Sequence, residues 1–114
     1  MKALITCSGL SNTGRLTTRV ATILASRHPA TLTWVKAHKG LEDIADTVED
    51  ADRIIVIEGC SDHCASKKII DEGIKADIHL VATDLGIEKN GMAEVQWSDI
   101  EKVLTAVEKK LTGR

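Results

Sequence analysis

The stretch Arg53-Ile54-Ile55-Val56-Ile57-Glu58-Gly59-Cys60 decides the fold. Its unbroken apolar run predicts a strand over 53–58, covered on both faces as central strands of parallel sheets are. A second run, Ala3-Leu4-Ile5, predicts a strand over 2–7 that ends on Cys7. If these two strands are parallel, their carboxyl ends share one sheet edge. The three cysteines of the chain, Cys7, Cys60 and Cys64, can then gather there.

Outward from these runs, strand and helix patterns alternate. Leu16, Val20, Ile23 and Leu24 recur at the helical period, with Ser11 or Asn12 as N-cap and His28-Pro29 as the stop. Residues 31–35, Thr-Leu-Thr-Trp-Val, alternate as a strand. Leu41, Ile44, Ala45 and Val48 mark a second helix, and a third runs from about Asp62 to Glu72, stopped by Gly73. Residues 78–82 read as the fourth strand. A loop through Gly86 and Lys89-Asn90-Gly91 leads to a last helix, expected to open with a capping box at Ser98-Asp99-Ile100-Glu101.

This order predicts a single α/β domain over 1–114. It is a doubly wound, flavodoxin- or Rossmann-like fold with a four-stranded, mainly parallel sheet and helices on both faces. The simplest strand order is 2-1-3-4. Its switch point, where such sheets bind ligands, lies between the carboxyl ends of the first and third strands. The cysteines fall at that place.

Composition limits what the site can serve. Of 114 residues, 43% are apolar and 28% charged, and Phe and Tyr are absent, so the core is Ile, Val, Leu and Ala. A net charge of −2 and no basic stripe argue against nucleic acid as a partner. No apolar stretch approaches the roughly 20 residues that span a bilayer, and the start is too short in apolar residues for a signal peptide. The expectation is a cytoplasmic protein without a membrane partner. There, three thiols are reduced, metal-bound or catalytic in preference to cross-linked.

Each candidate has a functional and a plainer reading. If Ser61 or Asp62 caps the third helix, Cys64 lies in its first turn, where the helix dipole favours thiolate. Cys60 and Cys64 can share one ion, although their spacing alone is weak and both could pack as small hydrophobes. Ser8, Gly9, Ser11, Asn12, Thr13 and Gly14 form a polar strand-to-helix loop that could cradle an anion, or simply cap the helix. Cys7 ahead of that loop with Arg15 behind it resembles a cysteine phosphatase, but that chemistry needs Cys-x5-Arg and Arg15 lies eight residues on. His38 follows the second strand and could approach Cys7. His63 adjoins Cys64, His79 is mid-strand and reads as structural, and His28 reads as solvent-facing. Trp34 reads as core or pocket wall, and Asp84 as a cap or a supporting partner at the same edge.

Three segments together resemble the DGC-domain family, regarded as zinc-binding. They are Cys7-Ser8-Gly9, Ile54 through Cys60 with Cys64-Ala65, and Thr83-Asp84-Leu85-Gly86-Ile87-Glu88-Lys89. The resemblance spans residues 1 to about 90 and implies zinc held by cysteines, without implying a reaction. Two positions depart from it. Glu58 stands where the name-giving Asp would be, and the fourth cysteine, expected just after the second strand, is replaced by Trp34. Cys7, Cys60 and Cys64 carry over; either His38, water or an outside ligand supplies the fourth group, or the metal is lost.

Three functions follow from this reading. The first is a metal-binding protein, with zinc as the ion. The second is a thiol enzyme or redox switch using Cys7 or Cys64 and a small anion. The third is a non-catalytic module for a protein partner.

Overall fold

Residues 1–6, 11–36, 46, 48–49, 51–59, 73–91 and 93–112 are described by a computed structural model. The strands are β1 (Lys2–Thr6), β2 (Leu32–Lys36), β3 (Arg53–Glu58) and β4 (Ile78–Val81). The helices are α1 (Asn12–Arg27) and α2 (Trp97–Thr112), with a 3-10 turn at Ala82–Leu85. All strand pairs are parallel, in the order β2-β1-β3-β4. This is the α/β arrangement that the alternation predicted. The helices expected over 41–48 and 62–72 fall almost wholly outside the described residues; of the first, Asp46 and Val48 are described and helical.

Why β1 and β3 take the centre follows from their side chains. Ala3, Leu4, Ile5, Ile55, Val56 and Ile57 are all fully buried. Strand alternation sends Leu4, Ile55 and Ile57 to one face, where Leu16, Val20 and Leu24 of α1 and Ile100, Val103 and Val107 of α2 pack on them. Ile5 and Val56 point to the other face, against Val35, Val48, Ile54, Ile74 and Ala76. A continuous apolar run is what a strand covered on both sides requires.

The helix ends are set by local chemistry. Ser11 is the N-cap of α1, its hydroxyl accepting from the Gly14 amide at 3.3 Å. His28 caps the other end, its amide bonded to the Leu24 carbonyl. It is also less exposed than expected, its ring 3.5 Å from Glu108 of α2. The expected capping box at Ser98 is not the start of α2. The helix begins at Trp97, and the Gln96 carbonyl accepts from the amides of Asp99 and Ile100 at 3.1 Å. Ser98 is therefore already inside the first turn. At the far end, Arg53 of β3 donates to the Leu111 and Lys110 carbonyls, placing a cation on the negative end of α2.

Candidate functional site

The carboxyl edge is built by register. Thr6 pairs with Ile57 on one side and with Lys36 on the other, so the exits of β1, β2 and β3 lie side by side. Neighbouring parallel strands are about 4.8 Å apart. The chain therefore leaves Thr6 toward Cys7 one strand spacing from where it leaves Ile57 toward Cys60.

Trp34 packs against the core, as expected, but it does not stand just after β2. The strand runs on to Lys36, so Trp34 is mid-strand, paired with Leu4, and the place just after β2 begins at residue 37. Its indole reaches forward, and Nε1 donates to the fully buried Thr6 hydroxyl at 3.0 Å. The Lys36 ammonium lies 5.5 Å from the ring centre, within cation–π reach. Thr6, Trp34 and Lys36 thus close the β1–β2 end of the edge.

The first turn of α1 faces the same edge. A Cβ on residue 59 would come within 2.8 Å of the Thr13 carbonyl carbon and 2.9 Å of the Gly14 nitrogen. Only glycine allows β3 to exit against the helix start so closely. The positive end of α1 consequently adjoins Gly59, the last described residue after β3.

Several donors of that turn are already used within the chain. The Asn12 amide donates to the Gly91 carbonyl at 2.7 Å. The Asn12 side chain donates to the Glu88 carbonyl at 2.8 Å and accepts from the Asn90 amide at 2.6 Å. Asn12 is thus a clamp on the 88–91 loop. The Ser11 and Thr13 hydroxyls lie 3.2 Å apart, and Thr13 is fully buried. Arg15 turns away to donate to the Ala93 carbonyl.

Sequence reasoning missed a pair on the opposite face of the sheet. Glu58, the last residue of β3, is 1% exposed, and the ring nitrogen Nε2 of His79 bonds its carboxyl. Register explains the meeting: Val56 pairs with His79, so Glu58 lies two residues along on the same face. The available signal was the charged residue ending an apolar run, since a carboxyl buried there needs a partner. Asp84, by contrast, is exposed in the 3-10 turn.

Cys7, Ser8, Gly9, His38, Cys60, His63 and Cys64 lie outside the described residues. Among the described residues, no three His, Cys, Asp or Glu side chains are grouped to hold a metal ion. No helix among them is long and apolar enough to cross a membrane.

A parallel sheet of order 2-1-3-4 with a helix N-terminus packed on its central carboxyl edge defines an α/β domain whose topological switch point lies between β1 and β3. The DGC domain matches residues 3–107, nearly the whole chain, and the protein belongs to that family. No curated protein and no solved structure gives a significant match.

Proposed function

We propose that this protein is a metal-binding domain whose ion, zinc by ligand chemistry, is held at the carboxyl edge by Cys7, Cys60 and Cys64. The observation that carries the reading is the pairing of Thr6 with Ile57, which brings the two cysteine-bearing exits together. Soft thiolates select zinc over hard cations. The start of α1 beside Gly59 lowers the cost of gathering negative sulfur there. Three protein thiolates leave a fourth position, for His38, water or an outside ligand, which is the pattern of reactive and not of closed structural zinc. When bound there, zinc would act as a Lewis acid on whatever occupies that position. A reduced thiol site further points to the cytoplasm. The test is elemental analysis of protein purified without added metal, beside each Cys→Ser variant. Near-stoichiometric zinc that is lost in Cys60→Ser supports the reading, and metal content indifferent to Cys60→Ser overturns it.

A second reading is favoured by the same close approach at Gly59. A helix N-terminus beside a cysteine-bearing exit also suits a thiol nucleophile or redox cysteine acting on a small anion. This version predicts that inorganic phosphate protects Cys7 from alkylation. Alkylation at an unchanged rate in saturating phosphate removes it.

A further inference from the structure

The outer ridge of α2 has a charge order that reads as its own complement. Ser98, Glu101, Lys102, Thr105, Lys109 and Thr112 are exposed along it, with Glu108 partly so. Reversing the helix about Thr105 sets Glu101 opposite Lys109, Lys102 opposite Glu108, and Ser98 opposite Thr112. Two antiparallel copies would therefore form each Glu–Lys pair twice, with Thr105 on the axis. That is the self-complementarity a two-fold interface requires. A parallel alignment in register sets Glu on Glu and Lys on Lys, so the pattern also selects against it.

An open groove of about 610 Å³ flanks the ridge, lined among others by Arg27, Trp97, Leu104 and Lys109. Trp97 at one end is 58% exposed, a large apolar side chain left facing water. Its indole is held by Glu101, with Nε1 donating to Oε1 at 2.5 Å. In the antiparallel arrangement the Trp97 of one copy falls at the Thr112 end of the other, the end toward which Arg27 lies through Glu108. Aromatic and arginine side chains are the ones that interfaces enrich.

We infer that α2 is a self-association surface, pairing antiparallel with the α2 of a second copy of this chain about a two-fold axis at Thr105. The surface is polar and no longer than one helix, which places the dimer among weak, reversible interfaces. Its ion pairs set register and orientation more than affinity.

Sedimentation over micromolar to millimolar concentration tests this. The wild-type mass should rise with concentration from 12.3 kDa toward twice that value. A variant carrying Glu101→Lys and Glu108→Lys presents only cations on the ridge, and one carrying Lys102→Glu and Lys109→Glu presents only anions. Each alone should stay monomeric, and mixing them should restore the dimer mass, more so at low salt. Because Glu108 also contacts Arg27 and His28, Thr105→Lys serves as a second variant, placing like charges on the axis while touching no internal bond. It too should abolish association. A wild-type chain that stays monomeric throughout, variants that dimerise as the wild type does, or a mixture that fails to associate would each overturn the inference.

Discussion

Gly59→Ala perturbs the contact on which the proposed metal site rests. The added methyl meets the Thr13 carbonyl carbon at 2.8 Å and its oxygen at 2.9 Å. These are backbone atoms of the first helical turn, so no rotamer change relieves the clash. Overpacking of this kind costs about 1–3 kcal/mol, and a rigid target puts it near the upper end. Restricting the unfolded chain returns about 0.5 kcal/mol. The net loss is about 2 kcal/mol. With unfolding entropy of about 2.1 cal/mol/K per residue, a chain of this length should melt about 8 °C lower. Differential scanning calorimetry reads the shift. Zinc content should fall as well, because β3 must move off α1 just before Cys60. Gly86→Ala is the control. It sits at φ 88°, and a Cβ there meets nothing within 4 Å, so it is strained without pressing β3 off α1. It should lose stability and keep its metal. A Gly59→Ala protein that melts with the wild type and keeps its zinc would refute the claim that this close approach shapes the site.

Three further predictions follow from other contacts. Asn12→Ala removes two hydrogen bonds to the 88–91 loop, costing about 2 kcal/mol at about 1 kcal/mol each, and the Asn90 amide should exchange faster by NMR. His79→Ala takes a partner from the fully buried Glu58 carboxyl, and urea denaturation should register a loss of about 1–3 kcal/mol; no change would mean the pair is dispensable. The Asp52 carboxyl is held below its usual 3.8 by a hydrogen bond from the Met1 ammonium and by that charge, with Lys2 adding to it against a small burial effect. A lowered folded value means its contribution is complete above the unfolded value and fades as pH falls through the folded one. A carboxyl-carbon titration should therefore place its midpoint below 3.8, and Asp52→Asn should flatten only the acid end of the stability profile.

The strands were legible because burial on both faces leaves an unbroken apolar run, as in Ile54–Ile57, and burial on one leaves alternation. α1 was legible for a similar reason: Leu16, Val20 and Leu24 mark one face, and Ser11 is a strong cap. The start of α2 was not, because Ser98-Asp99-Ile100-Glu101 satisfies the capping pattern two residues too late, and the exposed Trp97 carries no start signal. Contacts between distant residues were also hidden. The Trp34–Thr6 bond, the Glu58–His79 pair and the Asn12 clamp depend on register and loop return, which no local pattern encodes. The need for glycine at 59 belongs to the same class, since it arises from α1 and not from its own neighbours. Strand logic alone gave the expectation that the three cysteines share one edge, and the family resemblance added the expectation of zinc; the cysteines themselves lie outside the described residues.

Zinc K-edge X-ray absorption on protein purified without added metal tests the central claim most directly. The account predicts near-stoichiometric zinc with about three sulfur scatterers at about 2.3 Å and one lighter atom completing the shell. Protein without metal, or zinc surrounded only by nitrogen and oxygen, would contradict it.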